Sequence, residues 1–295
     1  MKENRTVRLQ VVQGYPASDF KFGFFLIVCL LWSLQENVSA QCRFENKPFV
    51  TGENVDYVIY FKWGILMPKA GQASIDFYET NEDNMPGYSY RLLFRTTGLF
   101  ESIYKMRDTL ASFHDINMRL LRGIKNSNEG GYYSIDQLTF SYLNDNVSAH
   151  SLRYTPTHVK IDTTLTSEGC VFDLMSSVLY LRSLNFTGMT IGDRFSFQVM
   201  IGRDVVNVSF HYKGQAILER NNVKYKTRYF SMDIYDEVFE QNESAAEIWI
   251  GDDENRIPIK IRAKLKLGAG EAYYSTSSGL KYPLNCRIVI SKNRK

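Results

Sequence analysis

A two-residue hydrophobic period constrains this chain more than any other feature. Val55, Tyr57, Ile59, Phe61 and Trp63 alternate with Asp56, Val58, Tyr60 and Lys62. Ala73, Ile75 and Phe77 repeat the pattern, as do Tyr88, Tyr90, Leu92 and Phe94, and then Phe195, Phe197, Val199 and Ile201. Val206, Val208, Phe210 and Tyr212 oppose Asn207, Ser209 and His211. Near the end, Ile257, Ile259, Ile261, Ala263, Leu265 and Leu267 make one face, and Lys260, Arg262, Lys264 and Lys266 the other. Side chains on a strand point to alternate faces, so this period predicts antiparallel strands with one wet face. Turn-rich clusters at 68–71, 81–87, 126–131 and 251–255 separate the runs, and Pro258 predicts an edge strand or a strand start. With 19 Tyr, 19 Phe and 3 Trp, the composition suits half-buried pleated surfaces. The expected fold is mainly β: an antiparallel curved sheet or partly closed barrel.

One segment breaks the period. Phe172, Met175, Val178 and Leu179 follow helical spacing, with Asp173 in the first turn and Arg182 in the last. This predicts a short amphipathic helix over about 171–184, packed on a sheet face or plugging one end of a barrel. It roughly bisects the chain, so two β halves of one architecture are conceivable.

The amino terminus reads as an address. Lys21 precedes thirteen apolar residues, Phe22 to Leu34, and Val38-Ser39-Ala40 offers small or compact residues where a signal peptidase reads. As a helix, the run would extend about 20 Å, short of a roughly 30 Å hydrocarbon core. The expectation is a signal peptide over 1–40, cleaved near Ala40, then a single β-rich domain over 41–295 with no transmembrane segment. Gln41 before Cys42 argues against lipidation. Cleavage removes four Lys/Arg and three Asp/Glu and leaves a charge of +2. That balance gives no electrostatic case for nucleic acid.

Cys42, Cys170 and Cys286 remain, with no Cys-x-x-Cys spacing among them. Cys42 could pair with Cys286 and join the chain ends, or the thiols could stay unpaired. The four histidines, His114, His150, His158 and His211, form no ligand motif and read as surface residues, so no metal and no cofactor are expected. No nucleophile elbow, phosphate loop or dinucleotide fingerprint occurs. Ser102-Ile103-Tyr104-Lys105 matches Ser-x-x-Lys, but in a strand-like context without its partner motifs. Asp252-Asp253-Glu254 reads as a solvated acidic turn rather than a calcium loop. No catalytic residue is assigned; Glu53, Asp108, Asp173 and Asp252 are the carboxylates that could pair.

Several motifs then occur in order: Phe49-Val50-Thr51-Gly52-Glu53, Tyr57, Trp63-Gly64, Ala70-Gly71, Lys105-Met106-Arg107-Asp108, Asp173-Leu174-Met175-Ser176-Ser177 with Tyr180 and Arg182, and Trp249-Ile250-Gly251-Asp252-Asp253 with Pro258. Over about 49–274 the set resembles the exported bacterial family called domain of unknown function 3108, found widely in Gram-negative envelopes. The resemblance implies a periplasmic or outer-envelope location and a mostly β fold. It brings no established activity, cofactor or catalytic residue.

Read physically, Gly52 and Gly71 suit turns or close backbone approach, and Trp63 and Trp249 suit core or rim anchors. Arg107 beside Asp108, together with Arg182 and Asp173, is expected to form a buried charge network holding the helix on the sheet. Trp63, Arg107, Asp108, Asp173, Arg182 and Trp249 are also the candidate ligand-binding residues. Lys260, Arg262, Lys264 and Lys266 form a basic face, either anion-binding or an exposed strand face that resists edge pairing. The expected function is a non-enzymatic envelope protein that binds or assembles a lipid, a glycan or another envelope protein. The alternative is a hydrolase that cuts an envelope polymer with paired carboxylates.

Overall fold

The alternating runs become sixteen strands in a computed structural model, which describes residues 44–144, 146–235 and 242–288. The first half comprises β1 (Glu53–Lys62), β2 (Lys69–Glu82), β3 (Met85–Thr96), helix α1 (Leu99–Ile103), β4 (Arg107–Asp115), β5 (Leu120–Glu129), β6 (Tyr132–Leu143), β7 (Asn146–Tyr154) and β8 (Val159–Glu168). The second half comprises β9 (Val171–Phe172), helix α2 (Leu174–Ser183), β10 (Arg194–Ile201), β11 (Asp204–Arg220), β12 (Val223–Tyr235), β13 (Asn242–Gly251), β14 (Pro258–Lys264), β15 (Ala269–Ser278) and β16 (Arg287–Ile288). Pro258 is the first residue of its strand, where its missing N–H costs no ladder bond.

All these strands lie in one sheet. Its order runs from β8 back to β1, then to β15 and back to β9, with β16 pairing on β12. Each half is an antiparallel meander, except that short β9 pairs parallel to β10, and β1 against β15 joins the halves. The sheet curls nearly into a barrel. Bulges at Asp56/Tyr57, Ile59/Tyr60 and Tyr212/Gly214 bend it, since one extra residue raises the local twist. The edges meet through side chains rather than a ladder. Ser167 donates to Gln198, Ser151 to the Gly202 carbonyl, and Arg203 to the Lys160 carbonyl at 3.0 Å.

Alternation sorts the wall. Val55, Tyr57, Ile75, Phe77, Tyr90, Phe210, Phe230, Ile248 and Ile250 are buried on the inner face. Asp56, Ser74, Asp76 and Arg91 lie on the outer face between them. A membrane-spanning barrel carries the reverse pattern, with its apolar band outside.

The second helix fills the lumen. Its first two expected residues are instead strand β9, and Asp173 caps it rather than lying in its first turn. The expectation of one wet face also fails: Met175, Ser176, Ser177, Leu179, Leu181, Arg182 and Ser183 are all buried. The three serines let the helix fit closely, and Ser177 and Ser183 bond back to the Leu174 and Tyr180 carbonyls. Each fully buried leucine contributes about 1.5–3 kcal/mol. The short helix α1 was not anticipated; Ser102 belongs to it and is exposed, not strand-like.

Candidate functional site

The helix is pinned at both ends. At its start, Asp173 accepts from the Ser176 N–H at 2.7 Å and from Ser112 Oγ at 2.7 and 2.6 Å. Ser112 can reach it because Gly123 stands opposite on β5: a Cβ there would come within 2.4 Å of the Asp173 carboxylate. Burial pushes the Asp173 carboxyl up, and the Ser112 and Ser176 bonds only partly offset that. One turn on, Ser176 Oγ lies 3.0 Å from His114 Nε2. Burial lowers the His114 pKa from 6.5 to about 3, so this ring is neutral. His211 is buried as well, beside Asp233 at 3.4 Å. Reading these two histidines as surface residues is therefore corrected; Ser176 and Phe44 pack against His114, and Asp233 lies beside His211.

At the helix end, Arg182 makes a two-pronged bond to Glu53 at 2.6 and 3.0 Å and donates to the Asn255 carbonyl at 3.0 Å. Burial alone would lower the guanidinium pKa, but Glu53 more than reverses the shift. Asn255 is itself held by the backbone of Tyr282 and Pro283. Asp253 caps the N–H groups of Asn255, Arg256 and Cys286. The 252–255 turn is therefore an anchor for the helix and the chain end, not simply a solvated acidic loop. Asp252 pairs with Arg228 at 2.7 Å.

The expected network of Arg107, Asp108, Asp173 and Arg182 does not form. Arg107 pairs with Glu101 at 2.6 Å across the α1 loop, because alternation turns it outward while Asp108 turns inward. Asp108 accepts from the Asn128 N–H at 3.1 Å and lies near Glu129. Burial, then Asp108, raises the Glu129 carboxyl, while Lys125 at 3.8 Å pulls it down. Asp136 pairs with Arg153 on the neighbouring strand. These charges face the lumen above the helix start. A cavity of about 120 Å³ lies there, lined by Lys125, Asp136, Arg153, Asp173, Met175 and Met200 among others. The Asp108–Glu129 pair had no local sequence signal beyond Asp108 itself, since its partner lies across a hairpin.

The basic face is corrected too. Lys260 lies 3.4 Å from Glu271 and over the Trp249 ring at 4.6 Å. Arg262 reaches Glu247 at 2.7 Å and Glu271 at 3.5 Å. Burial alone would raise the Glu271 carboxyl; Tyr273, Lys260 and Lys62 outweigh it and hold it below the usual range. Trp249 stacks on Tyr229 at 4.8 Å. The inner half of the row is thus a neutralised lattice on the outer wall, its acids supplied by β13 and β15. Lys264 closes its strand, and Lys266 lies in the turn beyond it, with Leu265 and Leu267 exposed. Trp63, at the end of β1, is also exposed. A second concavity, about 550 Å³ and open, lies on the outer face of β15 and β1–β4.

Asp108, Asp173 and Arg182 all face the interior, with Asp173 and Arg182 at opposite ends of helix α2; Trp63, Arg107 and Trp249 lie elsewhere. Asp108, Asp173 and Asp252 do not converge across one groove. Cys286 is free and buried, so the Cys42–Cys286 pairing does not form, and Cys170 is disulfide-bonded. Cys42 and the expected signal segment also lie outside the described residues. No group of three or more metal-ligating side chains occurs among the described residues, and no helix there is long and apolar enough to cross a membrane.

Comparison with known proteins agrees with the architecture. The model of a protein family of unknown function, DUF3108, matches residues 56–275. A beta-barrel-like protein of domain of unknown function DUF1849 from Brucella abortus is similar in structure, with a TM-score of 0.54 at 10% identity. The match covers 79% of this chain and 99% of that one. At that identity the likeness shows the fold alone. No curated protein matches in sequence.

Proposed function

This chain belongs to the DUF3108 family, and from that premise we propose that it is an exported, non-enzymatic binding or assembly protein of the cell envelope. We infer that it works through its surface rather than by carrying a ligand inside. One observation carries this reading: the lumen is occupied. Helix α2 and three apolar clusters pack it, and the cavity beside the helix start measures about 120 Å³. Sites for small organic ligands usually run from about 300 Å³ upward. The charges at the cavity mouth are largely matched with one another, so they offer little surplus charge to a ligand.

Export is the article of this reading that rests most on sequence. The charged residue, apolar run and Val38-Ser39-Ala40 exit support it. So does the disulfide at Cys170, because such bonds persist in oxidising compartments. Native mass spectrometry on protein taken from its own host tests both parts. A mass cut near Ala40, without a releasable small molecule, is the expected result. A reproducible extra mass released on denaturation would overturn the filled-lumen argument.

One observation favours a second reading, a hydrolase. Asp108 and Glu129 are neighbouring carboxyls facing the lumen, and burial and then Asp108 raise the Glu129 carboxyl above its ordinary range. Turnover of purified envelope polymer that Asp108→Asn abolishes, with the fold intact, would establish it. No turnover in the wild-type protein would dismiss it.

A further inference from the structure

We propose that the rim formed by the β1–β2, β3–β4 and β14–β15 connections docks onto an anionic lipid surface; this rests on the surface-acting reading above and gives it a partner. The three connections are neighbours. A Cβ on Gly268 would lie 2.1 Å from the Lys62 carbonyl, so the β14–β15 turn abuts the end of β1. The Phe61 and Phe100 rings meet at 6.1 Å, which sets the α1 loop against the same place. Together they carry side chains that burial would normally claim. Ile65 is 100% exposed, Leu267 72% and Ile103 71%, with Trp63, Leu99 and Leu265 also exposed. Hydrophobes scattered singly over a surface need no explanation, but this many at adjacent loop tips mark an interaction site.

Charge selects the partner. Residues 62–69, 97–107 and 264–268 hold Lys62, Lys69, Lys105, Arg107, Lys264 and Lys266 against Glu101, while Lys62 also pairs with Glu271 at 3.9 Å. Glu101 is committed to Arg107. Lys69, Lys105 and Lys266 are exposed among the apolar tips. A protein groove would ask for shape and matched acids; aliphatic and indole tips threaded with lysines suit the headgroup boundary of an anionic bilayer. The wall beneath is built of ion pairs such as Arg262–Glu247 and Arg91–Asp76, so only the rim would enter the interface. The run Leu265-Lys266-Leu267 then has a role that strand periodicity hid: it forms a loop tip beyond Lys264, the last residue of its strand.

The test is sedimentation of the full chain with vesicles of phosphatidylglycerol and phosphatidylcholine in equal parts, against phosphatidylcholine alone. Binding is expected to the anionic vesicles, weakened by 0.5 M salt, with a blue shift of tryptophan emission that Trp63→Phe removes. Ile65→Asp with Leu267→Asp should lower binding by about 100-fold, and each exposed lysine replaced should lower it by about five-fold. Both apolar sites are exposed, so circular dichroism should show an unchanged fold. Should that variant misfold, Lys69→Glu with Lys266→Glu serves in its place. Equal binding to neutral vesicles, or a folded variant that binds like the wild type, overturns the proposal. So does a solution dimer that the variant dissolves in the absence of vesicle binding, since the rim would then meet a second copy. A releasable ligand or polymer turnover would strike the surface-acting reading without touching these readouts, so the two can fail separately.

Discussion

Replacing Glu53 by Gln keeps the shape of the side chain and removes its charge. Arg182 is then left 1% exposed, with a guanidinium whose counter-ion is gone. Removing one member of a buried ion pair costs about 3–5 kcal/mol, because the remaining charge stays desolvated. A domain of this size loses about 2–4 °C of melting temperature per kcal/mol, so the expected fall is about 6–20 °C. Arg182→Met should cost a similar amount by stranding the carboxylate. The double variant is the sharper measurement. Once both charges are gone, the loss reduces mainly to the Asn255 carbonyl, which forfeits its 3.0 Å donor at about 1–3 kcal/mol. The double variant should therefore be milder than the two singles added together, by at least about 2 kcal/mol. Urea and thermal unfolding followed by circular dichroism read all three. Single variants that melt within 2 °C of wild type, or a double variant equal to the sum, would refute the view that this pair holds the helix.

Three further outcomes follow from the same interior. The folded pKa of His114 is depressed to about 3 from 6.5, so the unfolded chain takes up a proton that the folded chain refuses. The stability it contributes is present above pH 6.5 and is lost towards pH 3, by at most about 1.4 kcal/mol per pH unit. Asp173, raised by burial, works in the opposite sense: its contribution is fully present in acid and declines as pH rises through its folded pKa. The slope to compare is wild type against His114→Gln, which should be flatter; parallel profiles would count against the buried neutral ring. Gly123→Ala drives a methyl into the Asp173 cap and should cost about 1–2 kcal/mol, the usual worth of an N-cap, by urea titration. Cys286, whose thiol is pushed up by burial and then by Asp253, should alkylate only after denaturation, while non-reducing peptide maps find Cys170 in a disulfide; rapid labelling of native Cys286 would contradict its burial.

Much of the architecture was legible because strand periodicity is local. Val55–Phe61 and Val206–Tyr212 announce their buried faces without reference to any partner, and Pro258 announces its position by what it lacks. The helix start was misjudged by three residues because Val171 and Phe172 are as apolar as the helix that follows. What escaped depends on register across the sheet. Glu53 and Arg182 are 129 residues apart, and nothing near either names the other. The row from Lys260 to Lys266 reads as uniformly basic until Glu247 and Glu271 are brought alongside its first half. The lumen charges fared the same way: Asp108 was visible as a carboxylate, while its neighbour Glu129 is set by how the β4–β5 pair aligns.

The strand order also governs how the chain can be made. Strands β1 to β8 each pair with the next in sequence, so the first meander can assemble before the second half of the chain is in place. Its opening strand cannot finish, because the neighbour of β1 is β15, nearly the last strand translated. Throughout that interval the row of N–H and C=O groups on β1, flanked by Tyr57 and Phe61, is an unguarded template for another nascent chain. A chain halted before Ala269 would keep that edge permanently. Truncation should therefore convert this protein from a self-sealing barrel into a seed for strand exchange and aggregation.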